Sequence, residues 1–318
     1  MRLRKTLKSS TRRWLAPLFI AGVTGALLAS CAAPPSRGDN VAQINEAPLP
    51  SADASLLQGY ISQTRVEGAT VCYDMYDATI PGFSNTCDFG EASATSSANG
   101  LYSLTLDGFQ QTQNYQLLAT GGTAKSVTSI AEDVGVMLAP RGARNITPLT
   151  TMVTLDSDLA AKIEQEIGTA KYSEKYDADI ARSGGTYGEH LALAKGVEVY
   201  MYILGRTNAN FAASSGLTLN TTNQYINALQ RLATELDNAG DIFSANDVAT
   251  AVRNAANNTF VAEGVAVPAN LLDHIESAVT AVMNEISTGT GLKQTEESII
   301  SACSSAFAAT DLVANWLQ

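Results

Sequence analysis

Side chains able to do chemistry are scarce in this chain. Its 318 residues include only two histidines, His190 and His274, too few for most metal-centre and triad chemistries. Glu189 precedes one and Asp273 precedes the other, but sequence neighbours do not face each other on a helix. Each histidine therefore reads as a polar-face or helix-end residue rather than a base. No His-Glu-x-x-His pair, Gly-x-Ser-x-Gly elbow or phosphate-cradling glycine loop occurs. Carboxylate pairs such as Asp156 with Asp158 and Glu164 with Glu166 read as solvated faces. No catalytic or cofactor-binding residue is selected, and an enzyme is not expected.

One segment does gather oxygen atoms. Asp74, Asp77, Asn85, Asp88 and Glu91 crowd the loop from 74 to 91, and hard cations such as calcium take oxygen ligands of this type. Asp74, Asp88 and Glu91 are the metal candidates, and calcium is the one cofactor suggested. The stretch from Ala78 to Phe83 interrupts the acidic pattern, so a second reading stands beside the first. In it the loop is closed by a disulfide between Cys72 and Cys87, 15 positions apart, and faces solvent. Closing a loop of that length in an oxidising compartment stabilises the fold by about 3 kcal/mol.

The amino terminus bears on the compartment. Six basic and no acidic residues fall within the first thirteen positions, and an apolar run from Trp14 to Leu28 follows. A charged stretch before so short an apolar one has the form of an export signal, since spanning a bilayer takes about 20 apolar residues. Leu28-Ala29-Ser30-Cys31 resembles the lipobox of bacterial lipoproteins. That resemblance implies removal of residues 1–30, lipidation of Cys31, and anchoring in the cell envelope by several acyl chains. Ala32 resembles the outer-membrane sorting class more than the inner-membrane one, which usually has Asp there. Thr11-Arg12-Arg13-Trp14-Leu15 only weakly matches the twin-arginine pattern, so the general secretory route is expected.

Without residues 1–30 the chain keeps fourteen of its 20 basic residues and all 31 acidic ones, a net charge of −17. Nucleic acid is thereby excluded as an expected partner, because phosphate binding relies on Lys and Arg. The partners left are the membrane, through the lipid, and an unidentified protein or small ligand. Nothing after residue 30 is apolar for long enough to cross a membrane again.

Elements that would position these groups come next. Residues 31–55 are rich in Pro, Ser, Asp and Asn and read as a flexible tether. From 56 to 145 short strands are predicted at Tyr60–Val66, Ala69–Tyr73, Leu101–Leu106 and Tyr115–Ala119. Turn residues punctuate them, and Asn99-Gly100 predicts a hairpin because both residues accept positive φ. Val66-Glu67-Gly68-Ala69-Thr70-Val71, a polar loop, and Ser97-Ala98-Asn99-Gly100-Leu101-Tyr102-Ser103-Leu104 resemble the transthyretin-like, carboxypeptidase-regulatory-like β-sandwich. This implies an accessory or binding module and no reaction. The carboxypeptidase His-x-x-Glu pattern is lacking, since Leu193 and Ser277 stand three places after the histidines. Bacterial lipoproteins with this module are similar in a loop ending like Cys87-Asp88-Phe89-Gly90-Glu91, and in a junction like Asn145-Ile146-Thr147-Pro148-Leu149-Thr150-Thr151-Met152-Val153.

At that junction the period changes from two to 3.6. Thr147 can cap a helix and Pro148 fits its first turn. Apolar stripes follow at Ile226, Leu229, Leu232, Ala233 and Leu236, and at Leu271, Leu272, Ile275, Val279, Val282, Met283 and Ile286 after Pro268. Further helices are predicted from Ser244, over Glu189–Leu204, and over Thr295–Leu317, where Cys303 reads as a buried small hydrophobe. The expected fold is α+β in separate domains, an antiparallel β-sandwich over 56–145 and an all-α domain over 146–318. The expected role is a lipid-anchored, non-enzymatic binding or envelope-assembly component. Two rivals stand behind it: a carrier of apolar or glycan ligand using a groove in the helical domain, and an envelope hydrolase.

Overall fold

A computed structural model describes residues 55–61, 66–80, 82–124, 132–133, 135–166, 188–204, 216–268 and 270–288. The signal, Cys31, the tether, Cys303 and the helix expected at Thr295–Leu317 lie outside them. Antiparallel sheets occupy the first half and helices the second, an α+β chain. Among the described residues no helix is long and apolar enough to cross a membrane.

The strands are β1 (Leu56–Tyr60), β2 (Val66–Glu67), β3 (Thr70–Asp77), β4 (Gly82–Phe83), β5 (Ser93–Thr95), β6 (Leu101–Thr105), β7 (Tyr115–Thr120), β8 (Thr123–Ala124), β9 (Glu132–Asp133) and β10 (Val136–Ala139). β1 pairs with β6, and β2, β8 and β9 form a small sheet. The largest sheet runs β10-β7-β3-β4, with β5 also on β3. Asp74 stands opposite Gln116 and Met75 opposite Tyr115 in the β3–β7 register.

Two expectations need correction. The strand predicted at Tyr60–Val66 begins earlier, at Leu56, where Gln58 and Gly59 face Ser103 and Tyr102 across the ladder and hide its alternation, and residues 62–65 of that prediction lie outside the described ones. Ile61 makes only a bridge to Ile146, and Val66 belongs to another sheet. Asn99-Gly100 forms a turn but no hairpin. β5 before it pairs with β3 and β6 after it with β1, so the chain changes sheets there. Gly100 has φ 73°, whereas Asn99 does not take the left-handed conformation that a type I′ hairpin requires of both residues.

The helices are α1 (Pro148–Leu155), α2 (Asp158–Glu166), α3 (Gly188–Ile203), α4 (Thr222–Asn238), α5 (Ala245–Ala262) and α6 (Leu271–Thr288). Thr147 caps α1 by accepting from the Thr150 amide, and Pro148 occupies the first turn. Ser244 caps α5 in the same way. Pro268 sits ahead of α6, and its carbonyl accepts from the Leu271 amide. Every residue of α3 from Ala192 to Met201 is buried, Lys195 and Glu198 included, which pair with each other.

The junction is built residue by residue. Asn145 Oδ1 accepts from the Tyr60 amide at 3.0 Å, and the Ile146 amide donates to the Tyr60 carbonyl at 2.9 Å. Thr150 Oγ1 donates to the Leu138 carbonyl at 2.8 Å, while Thr151 Oγ1 accepts from the Leu138 amide at 3.0 Å. The free edge of β10 is thus satisfied by two hydroxyls of α1, which also blocks pairing with another strand. One hydrophobic cluster runs through both halves, from Ile61 to Met283.

Candidate functional site

β3 sets the site because alternate residues face opposite sides of a strand. Cys72, Asp74 and Tyr76 share one face, and the loop from 78 to 91 folds back over the first two, which are buried. Cys72 and Cys87 form a disulfide with a Cα separation of 5.6 Å. The Asp74 carboxylate lies beneath the loop. It accepts from Gln116 Nε2 at 2.7 Å, the Asn85 amide at 3.2 Å and Ser84 Oγ at 3.3 Å. Gln116 also donates to Asn85 Oδ1 at 2.9 Å, and Asn85 holds the left-handed φ of 57° that this fold-back needs.

Glu91 ties down the far limb. Its two oxygens accept from the Met75 amide at 2.7 Å and the Asp88 amide at 2.9 Å. Asp88 itself accepts from Thr86 Oγ1 at 2.9 Å. Burial pushes the Asp74 carboxyl above the usual range against the opposing effect of its hydrogen bonds, and it does the same to Glu91. Asp77 is held below that range by hydrogen bonds from Thr79.

Each of the three calcium candidates already has hydrogen-bond partners within the protein. Asp74, Asp88 and Glu91 each face N–H or O–H donors of the loop, and they do not bring one oxygen apiece within 4.8 Å of one another. Among the described residues Asp156, Asp158 and Asp237 do meet that test. Burial, and then the neighbouring carboxylates, push Asp156 up. Beside this group Lys162 Nζ donates to the carbonyls of Leu236, Asp237 and Ala239 and so closes the C-terminus of α4.

His190, expected on a polar face or at a helix end, does lie at a helix end, in the first turn of α3, but is buried there, edge-on to Phe243 at 6.0 Å. Burial lowers its pKa to about 4, so the imidazole is neutral at pH 7. Lys195 and Glu198 form a buried ion pair on the same helix. The apolar void bounded by Leu149, Met152, Leu159, Leu193 and Leu236 measures about 10 Å³, at the lower limit for a single water. This void is a packing defect, too small for an organic ligand.

Sequence reasoning missed three residues that order this region. Gln116 signals nothing until β7 brings it opposite Asp74. Gln110 donates through Nε2 to the Gly90 carbonyl at 2.9 Å and accepts at its own carbonyl from Tyr73 Oη, also at 2.9 Å. Gly59 leaves room for the backbone of Arg144, whose oxygen would lie 1.7 Å from any Cβ there. No protein-family model, curated protein or solved structure matches the chain.

Proposed function

We propose that the chain is an exported lipoprotein, held in the cell envelope through lipid on Cys31, that acts by binding or by assembling envelope components and catalyses no reaction. The observation that carries this reading is the lipobox Leu28-Ala29-Ser30-Cys31, set where an apolar run follows six basic residues. Ala32 favours the outer membrane. The Cys72–Cys87 disulfide supports an oxidising compartment. The polar groups beneath the loop support a structural role for it, since Asp74 accepts from Gln116 of β7 and the Asn85 amide of the loop, and Glu91 from the amides of Met75 in β3 and Asp88 in the loop.

We also infer that the sheets form a transthyretin-like sandwich and that the two halves are separate folding units with a boundary near Asn145. Tyr102 and Leu104 of β6 share a core with Val71 of β3 and Leu117 of β7, as two facing sheets would. Each half buries large side chains of its own: Tyr73, Tyr102 and Leu117 in one, Tyr200, Tyr225 and Phe260 in the other.

Metabolic labelling with a fatty acid tests the anchor. The expected outcome is labelled native protein in the membrane fraction and an unlabelled, unprocessed Cys31→Ser precursor. Labelling that persists in Cys31→Ser would sink the reading.

A further inference from the structure

Five large apolar residues are exposed among those described: Tyr76, Ile80, Phe89, Phe109 and Val261. Strand registers place the first four at one end of the β half. Tyr76 is the last residue but one of β3, beside Asn114, whose carbonyl accepts from its amide. Ile80 lies in the turn after β3, and Phe89 in the turn from Asp88 to Glu91, which Glu91 pins beside Met75. Phe109 is carried by the connection from β6 to β7, and Gln110 ties that connection to Gly90. These turns are tied to one another, yet Phe89 is 108% exposed and Phe109 65%. Phe89 contributes no burial to the fold that holds it outward, and Phe109 contributes little.

The chain enters the β half at this same end. Leu56 pairs with Thr105 at the close of β6, and the Ser55 carbonyl accepts from the Leu106 amide at 2.7 Å. The connection bearing Phe109 begins at the next residue. Between Cys31 and Ser55 lie 23 residues, a length whose free-chain span is about 25 Å. The helical half meets the sheet along β10, where α1 hydroxyls bind Leu138, and at the opposite end, where Gly135 lies against Tyr225.

We propose that this aromatic loop end seats on the lipid surface to which the chain is tethered, with Phe89 and Phe109 entering the interface and Tyr76 and Ile80 at its margin. The proposal rests on the lipid-anchor reading. Aromatic side chains suit the headgroup boundary, and shallow burial of a few apolar groups holds a surface firmly only beside a second attachment. A lipidated Cys31 is that attachment. Exposed Asp77, Asp88 and Asp107 rim the patch against Arg141, so the surface it fits is zwitterionic and not anionic.

A test independent of acylation begins the chain at residue 32 with an N-terminal hexahistidine tag. The tag is captured on phosphatidylcholine vesicles carrying a nickel-chelating lipid and a lipid brominated near the headgroup. Phe89→Trp and Phe109→Trp are the reporters, Val261→Trp is the control, and all carry Trp316→Phe to remove background emission. Both loop reporters should shift to the blue and be quenched about two-fold, with the control unchanged. Replacing half the phosphatidylcholine by phosphatidylglycerol should weaken the quenching, and added salt should restore it. Unquenched loop reporters would overturn the proposal and turn the patch toward a protein partner. Equal quenching at Val261 would overturn it as well. Because the tag supplies the tether, failure here leaves the fate of Cys31 to the labelling experiment.

Discussion

Asp74 shows how a residue can be legible by type while its partners are not. Its carboxylate type suggests a cation ligand, and a group that hydrogen-bonds it is Gln116, 42 positions away. Local sequence carries no sign of that pairing, because only the β3–β7 register sets it. The Cys72–Cys87 pair was legible, since spacing and composition alone argue for it. Asp74→Asn is expected to fold: its oxygen accepts from Asn85 and Gln116, and its amide donates to Ser84 Oγ. Asp74→Ala leaves the Asn85 amide without its acceptor and costs about 1–3 kcal/mol. Native Asp74 has a folded pKa above its unfolded value, so its contribution is full below the unfolded pKa and is lost as pH rises through the folded one. Asp74→Asn should therefore flatten the fall in melting temperature of the β half between acid and neutral pH, with no response to calcium in the native protein. A calcium-dependent rise that Asp74→Asn abolishes would return the loop to the metal reading.

At the scale of elements, the stripes on α4 and α6 were legible because a surface helix buries one face. α3 was placed but its depth was not, since a helix surrounded by partners keeps no polar face for periodicity to register. Tyr200 exposes the cost of that depth. Its hydroxyl, fully buried, meets the carbonyls of Ala228 at 3.0 Å and Ala255 at 3.2 Å and the Thr259 hydroxyl at 2.9 Å. One side chain thus joins α3, α4 and α5. Its pKa is raised, chiefly by burial, and it stays protonated. Tyr200→Phe keeps the ring and removes the joint, and is expected to cost about 1–3 kcal/mol in urea unfolding with an unchanged m-value. A loss below a few tenths of a kcal/mol would mean that these helices hold together by apolar packing alone.

For the whole molecule, the β and helical halves carry buried titrating groups of opposite sign. Acid favours the buried Asp74 carboxyl and the half-buried Glu91 carboxyl, whose folded pKa values are raised. It opposes His190, whose folded value near 4 lies below its unfolded 6.5. Stability from His190 is present above pH 6.5 and is lost as pH falls toward 4, about 3 kcal/mol over the full window. Between pH 7 and 5 the loss is about 2 kcal/mol, roughly 20-fold in the opening equilibrium. The two halves touch through α1, whose Thr150 and Thr151 bind Leu138, and through Tyr225 at Gly135. If that seam opens more easily than either core, amide exchange on Ala192–Met201 of α3 should quicken about 20-fold on going from pH 7 to 5, after correction for intrinsic rates. Amides of Thr70–Asp77 should not follow it. His190→Leu should remove the response in α3 and leave β3 as it was. A matching loss of protection in both segments, relieved in both by His190→Leu, would show that the seam does not open first and that the chain unfolds as one unit.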